Sequence, residues 1–318
     1  MKKLYLFLFI SLFVLSCISI FIGVSSVSMG DLLSGDQRTL QTLLVSRIPR
    51  LLSVLVTGIG MSISGVIMQQ LTRNRFVSPA TAATMNFASL GILVAMLFFT
   101  NASISQRIGV SFIFALGGSF LFLGILKQIK LQNTLLIPLL GLMLGNVVNS
   151  VTTFIAYQYN LVQNISSWSQ GSFTNVLRGN YEFLFIGVPF VVLAFVFSKK
   201  ITILGIGEDF AKNLGLNYRL IMMIGLVIVS VISSSVVVTV GVIPFVGLII
   251  PNLVSMWLGD NLHENLGIIA LIGALFLLVS DMIGRLIIFP FEMPISLIIG
   301  ILGAVIFLCL LRRKSYAN

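Results

Sequence analysis

The residues able to do chemistry in this chain are few, and their placement narrows what that chemistry can be. The one histidine, His263, stands in a polar turn, and both cysteines, Cys17 and Cys309, lie inside apolar runs. Two such cysteines make neither a disulfide framework nor a thiolate metal site, and one histidine does not complete a His/Cys set. No G-x-x-x-x-G-K-[ST] occurs, so the chain has no P-loop with which to hydrolyse ATP. What remains are arginines and one carboxylate. Arg47-Ile48-Pro49-Arg50 opens an apolar run, with Pro49 suited to a first helical turn. Arg285 follows Asp281 by four residues, a spacing that lets the two pair on a helix. Arginine forks capture carboxylates bidentately. These arginines therefore read either as an outward-facing carboxylate-binding cluster or as headgroup contacts plus an internal ion pair, Asp281 with Arg285.

Four further constellations stand out. Gly207-Glu208-Asp209-Phe210 through Leu214-Gly215 reads as a short helix with acidic residues in its first turn and a glycine stop. Phe210 and Leu214 share a face, so the segment is either a docking element for a soluble partner or an ordinary interfacial helix. Gly58, Gly60, Ser62, Ser64 and Gly65 place small residues four apart and predict close helix packing. Asn146, Asn149 and Thr153 fall on one helical face beside Gly141 and Gly145. Polar groups there imply an interhelical bond or a translocation path. Finally, Gly241 to Asn252 holds Pro244 and Pro251 among glycines, the pattern of a broken or shortened helix.

The elements that must position these residues follow from composition. Of 318 residues, 58% are hydrophobic and 9% charged, with a formal net charge of +10 and a mean hydropathy of +1.11. A soluble domain carries about 25% charged residues. A cytosolic enzyme, a secreted domain and a disordered chain are thereby excluded, and an all-α polytopic membrane protein remains. Ten spans are expected, at about 4–25, 47–70, 78–100, 108–127, 134–158, 181–198, 219–240, 243–258, 266–288 and 295–311, as a single transmembrane domain over 1–318. The first run continues through Ile18 to Val24, which suits a retained span better than a signal peptide. Segments 26–46 and 159–180 are expected outside. The second holds Gln163-Asn164-Ile165-Ser166-Ser167-Trp168, read as a short interfacial helix. Segment 199–219 is expected inside.

With both termini inside, every lysine falls on the inner side, together with Arg73, Arg75, Arg219, Arg312 and Arg313. The outer side keeps Arg38, Arg47, Arg50, Arg107, Arg178 and Arg285. This obeys the positive-inside rule. No inverted repeat is visible, and Asp281, the one carboxylate clearly within a span, has Arg285 as its expected partner. Proton-coupled antiporters usually keep unpaired intramembrane carboxylates. A membrane hydrolase needs a nucleophile and base, and His263 has no evident partner. The residues alone describe a transport or channel subunit without its own energy source.

Taken together, the chain resembles the FecCD family, the permease subunits of ABC importers for iron–siderophore complexes, haem and vitamin B12. The resemblance covers essentially the whole chain. It is carried by Arg47-Ile-Pro-Arg50, Ser64-Gly65 with Gln69, Arg73-Asn74 with Pro79, and Gly207-Glu208 with Leu214-Gly215. It continues through Pro244-Phe245-Val246-Gly247-Leu248-Ile249-Ile250-Pro251 and Asp281, Arg285 and Glu292-Met-Pro294. Gln69-Gln70-Leu71, Phe76-Val77-Ser78-Pro79, Gly141-Leu142-Met143-Leu144-Gly145-Asn146 and Asn164-Ile-Ser-Ser-Trp168 are most similar to petrobactin (catecholate-type siderophore) permeases of bacilli.

The resemblance implies a ten-helix permease in the cell membrane of a bacterium, of Gram-positive type. It pairs with a second permease chain, a non-identical homologue or a copy of itself. Two ATP-binding subunits lie below, holding the ATP and Mg, and an extracellular lipid-anchored substrate-binding protein above. The chain itself binds no cofactor or metal and has no catalytic residues. By the same resemblance, Arg47, Arg50 and Arg285 face outward to meet glutamates of the binding protein, and Gly207, Glu208, Asp209, Phe210, Leu214 and Gly215 couple to the ATPase. The fifth and tenth spans line the path. The chain departs from the family pattern at Arg75-Phe76-Val77, at Asn252 and Ser255, at Ser296 and at Gly303-Ala304. The expected cargo is a ferric siderophore. Haem or another metal chelate is the alternative within the family; an ion-coupled secondary transporter and an intramembrane enzyme are the rivals outside it.

Overall fold

A computed structural model describes residues 2–23, 36–99, 103–128, 136–259 and 261–315. Its thirteen described α-helices are joined by turns, and no strand occurs among the described residues. In chain order they are α1 (Lys2–Phe21), α2 (Gln37–Thr42), α3 (Ile48–Thr72), α4 (Thr84–Phe98), α5 (Ile104–Gln128), α6 (Leu136–Gln158) and α7 (Val162–Ser169). The rest are α8 (Val188–Ile206), α9 (Glu208–Asn213), α10 (Tyr218–Thr239), α11 (Val246–Leu258), α12 (Leu262–Leu286) and α13 (Ile295–Ser315). Seven helical stretches are long and apolar enough to cross a membrane; α4, α11 and α13 supply three shorter apolar helices. Together they occupy the positions of the ten expected spans.

Helix α3 is the hub. It packs against α8, α10, α11 and α12 and is buried along most of its length. Its small residues explain the close approaches. A Cβ on Gly58 would meet the Gly273 carbonyl oxygen at 2.6 Å, and one on Gly60 would meet Ile232 at 2.8 Å. One on Gly65 would overlap the backbone of Gly247 in α11, and Ser62 packs on Gly273 of α12. The tightest of these crossings joins α3 to α11, the broken helix expected from sequence. Residues 240–245 run without regular helix, Phe245 is left-handed (φ 63°), and Pro251 sits inside α11. Pro251 offers no N–H to the Gly247 carbonyl, and that carbonyl lies against Gly65 instead.

Two expected boundaries are corrected. The second span begins well before residue 47, because α2 runs through a π-helical turn, Leu43–Arg47, straight into α3. The cause is Pro49. It can neither donate to the Val45 carbonyl nor tolerate it close by, so the preceding turn widens. The released Val45 carbonyl accepts from the Arg178 N–H at 3.0 Å. The part of segment 26–46 up to residue 35 lies outside the described residues. The loop expected over 199–219 is also shorter, since α8 continues to Ile206. Helix α10 begins at an Asn217 cap whose side chain accepts from the Leu220 N–H at 3.1 Å. In segment 159–180 the expected short helix is present as α7, residues Val162–Ser169.

Candidate functional site

At one end of the bundle the three arginines come together, but not as an exposed cluster. Arg47, Arg50 and Arg285 are 7%, 8% and 3% exposed. Arg50 donates from Nε and Nη2 to Asp281 Oδ1 at 3.2 and 2.9 Å, and from Nη1 to Glu292 Oε2 at 2.7 Å. Arg285 pairs with the other oxygen of Asp281 at 2.6 Å and donates to the Ser19 and Ile22 carbonyls at 2.9 and 2.8 Å. Arg47 reaches the same Ile22 carbonyl at 2.6 Å. These side chains are therefore buried rather than exposed, and the internal Asp281–Arg285 pair, one of the two readings of the sequence, is present. The physical reason is that α1 ends at Phe21 with carbonyls that need donors, and cations at a helix C-terminus are favoured. Arg50 thus holds both carboxylates, Arg285 shares one of them, and Arg285 and Arg47 cap the end of α1 from outside it.

Sequence reading gave Asp281 beside Arg285 but named Glu292 only within a family motif, without a partner. Its carboxylate also accepts from Thr174 Oγ1 at 2.9 Å, which ties segment 170–180 to the same network. Burial alone would raise the Glu292 carboxyl. The hydrogen bond and charge of Arg50, with the Thr174 bond, outweigh it and hold the group below its usual value. Only the Pro294 neighbour and the arginine motif hinted at this, and neither names a partner.

The opposite end carries α9. Gly207 (φ 151°) and Gly215 (φ 73°) bracket it in backbone conformations that side chains disfavour. Glu208 and Lys212 pair at 2.8 Å along the exposed side. That hydrogen bond and charge lower the Glu208 carboxyl and raise the Lys212 amine. Phe210 and Leu214 are 46% and 55% exposed, whereas Ala211 is fully buried. The helix thus sits on the bundle by its small residue and presents its large apolar ones. Asp209 is exposed beside them.

Along α6, Gly141, Gly145, Val148, Thr152 and Ala156 are buried, Gly141 against the Thr81 carbonyl of the loop between α3 and α4 and Gly145 against Asn86 of α4. Asn146, Asn149 and Thr153 lie on the other side, exposed, with Leu142, Met143 and Val147. The stripe points away from the rest of this chain. Two of the positions departing from the family pattern meet at the α9 end, where Asn252 Nδ2 donates to the Arg75 carbonyl at 2.7 Å. His263 Nδ1 lies 2.7 Å from Ser198 Oγ, which itself donates to the Phe195 carbonyl at 2.7 Å. Ser198 Oγ thus lies within hydrogen-bond reach of both the imidazole and a backbone carbonyl.

Comparison with known proteins agrees with this architecture. The model of the FecCD transport family matches residues 11–313. The chain is 53% identical to the petrobactin import system permease protein YclN of Bacillus subtilis over 98% of this chain and 99% of that one. It is 38% identical to the petrobactin import system permease protein FatD of Bacillus anthracis, covering 98% and 92%. With the ferric-anguibactin transport system permease protein FatD of Vibrio anguillarum it shares 37%, covering 97% and 98%. Among solved structures, an inward-facing metal-chelate type ABC transporter superposes with a TM-score of 0.84 at 25% identity, covering 98% of this chain and all of that one.

Proposed function

The chain belongs to the FecCD transport family, and from that premise we propose that it is the permease subunit that carries a ferric siderophore of the petrobactin (catecholate) type through an ABC importer. The observation that carries this reading is 53% identity, over nearly the full length of both chains, to a permease that imports petrobactin. The multi-pass helical fold and the likeness to a metal-chelate type ABC transporter support it. The iron stays inside its chelator throughout.

In this reading ATP and Mg act in two partner ATP-binding subunits, and a second permease chain completes the path. The termini face the cytoplasm and the cell is of Gram-positive type. Force enters through α9, whose exposed Phe210 and Leu214 make it a knob for a partner groove. A lipid-anchored binding protein docks at the arginine end. There Arg47, Arg50 and Arg285 act by fixing the rim formed by Glu292 and Thr174, since they are themselves buried. The path follows the exposed Asn146, Asn149 and Thr153 stripe.

The test is uptake of radiolabelled iron by a strain lacking this chain, supplied with ferric petrobactin, haem or ferric citrate. Loss confined to petrobactin, restored by the wild-type chain but not by Phe210→Asp present at equal membrane level, is the expected result. Normal petrobactin uptake in the deletion strain would remove the substrate. Uptake that survives ATP depletion and fails with an uncoupler would replace the importer with an ion-coupled transporter.

A further inference from the structure

None of these roles uses the groove between the C-terminal end of α5 and the start of α10. Two adjoining cavities of about 400 and 290 Å³ lie there, and Phe120, Lys127, Glu208, Tyr218 and Met222 wall both. Arg73 contributes to the first and Arg219 to the second. Gly124, one helical turn before Lys127, also lines the first and helps keep it open: a Cβ there would meet nothing within 4 Å. Toward the middle of the two helices the walls are apolar, and Phe120 and Met223 are both exposed. These helices are long and apolar enough to cross a membrane, so this half of the groove faces acyl chains.

The other half, beside α9, is unbalanced in charge. Arg73, Lys127 and Arg219 stand in the walls with one carboxylate, Glu208, and Glu208 already pairs with Lys212 at 2.8 Å. Its carboxyl is lowered first by the hydrogen bond and charge of Lys212, and further by Lys127 and Arg219. Asp209 is exposed and lines neither cavity. Residues 129–135, which follow α5 in the chain, include Lys130 and no acidic residue. Among the described residues neither Lys127 nor Arg219 is in an ion pair. Uncompensated cations above an apolar slot between two spanning helices are complementary to a molecule with an anionic head and an apolar tail. Tyr218 walls both cavities at the junction of the two halves, the level at which tyrosines meet headgroups. Phe210 and Leu214 line neither cavity, so the groove is separate from the face that α9 offers a soluble partner.

We propose that the groove between α5 and α10 holds an anionic phospholipid, its phosphate against Lys127 and Arg219 and an acyl chain along Gly124, Phe120 and Met223. The site asks only for the membrane-spanning fold, so it stands or falls apart from the identity of the cargo.

The test uses the full-length permease in nanodiscs of mixed phosphatidylcholine and phosphatidylglycerol, with the retained lipid identified by native mass spectrometry. Wild type should keep phosphatidylglycerol in preference to phosphatidylcholine. Lys127→Gln combined with Arg219→Gln should cut that preference about tenfold. Gly124→Phe changes no charge and fills the slot, and it should abolish retention. Lys199→Gln combined with Lys200→Gln, on α8 and lining neither cavity, removes the same charge elsewhere and should leave retention unchanged. Each variant is matched to wild type by its thermal midpoint in phosphatidylcholine alone, and either groove variant decides the question without the other. Equal retention of the two lipids by wild type would make the groove a slot without headgroup preference and overturn the proposal. An equal loss in the Lys199 and Lys200 variant would replace the site with diffuse attraction, and undiminished retention by Gly124→Phe would put the lipid elsewhere.

Discussion

Arg50 holds two carboxylates at once, Asp281 with two of its nitrogens and Glu292 with the third. Removing one member of a buried, paired set leaves the others uncompensated, which costs about 3–5 kcal/mol. Asp281→Asn leaves Arg50 with one carboxylate and Arg285 with none. The expected result is a lower unfolding midpoint in detergent and easier proteolysis within α1, whose terminal carbonyls Arg285 and Arg47 cap. An unchanged midpoint would show that the network is dispensable. Glu292 adds a pH signature. Its carboxyl is held below the ordinary value of 4.5, so its stabilisation is complete above that value and is lost as pH falls through the lowered one. Wild type should therefore lose stability on acidification below about pH 4.5 more steeply than Glu292→Gln. Parallel acid limbs for the two proteins would refute the pairing. Of this cluster the Asp281–Arg285 pair was legible, because four residues is one helical turn. Arg50 and Asp281 are 231 residues apart, a distance no helical spacing rule bridges.

Among the elements, α3 was read as a closely packed helix from Gly58, Gly60, Ser62, Ser64 and Gly65, but which helix met which residue was not available. Gly65 meets α11 at Gly247, backbone to backbone. Gly65→Ala must push two helices apart, an overpacking expected to cost about 1–3 kcal/mol. Gly117, in α5, has nothing within 4 Å of an added Cβ. Gly117→Ala should stabilise by about 0.5–1 kcal/mol, because alanine loses less backbone entropy in a helix. Thermal unfolding of the two variants side by side is the check; equal shifts would show that the α3–α11 contact is not tight. The π turn before Pro49 carries the same lesson. Proline was visible and suited a helix start. Only the Arg178 N–H, arriving from a distant segment to satisfy the Val45 carbonyl, let the helix run through it instead.

For the molecule as a whole, α6 and α8 both present large apolar side chains outward, yet only α6 interleaves them with Asn146, Asn149 and Thr153. Polar side chains are costly against lipid, so in the proposed assembly that face meets the second permease chain or the aqueous path. In a background with Cys17 and Cys309 replaced by serine, Asn149→Cys should crosslink between permease chains in assembled membranes. Val196→Cys, on α8 and 68% exposed, should not. The reverse pattern would put the lipid on α6. The sequence by itself determined the class of this protein: a hydropathy this high and charges this few leave only a helical bundle, and the positions of its spans follow from runs of apolar residues. It also placed α9, because a short acidic-led helix between glycines is written locally. The tertiary structure decided the fate of the charges and the small residues. Whether an arginine at a span end reaches out to a partner or turns in to cap a neighbouring helix depends on which carbonyls and carboxylates the fold brings within 3 Å, and here α1, α3, α12 and the Glu292 turn converge to bury all three.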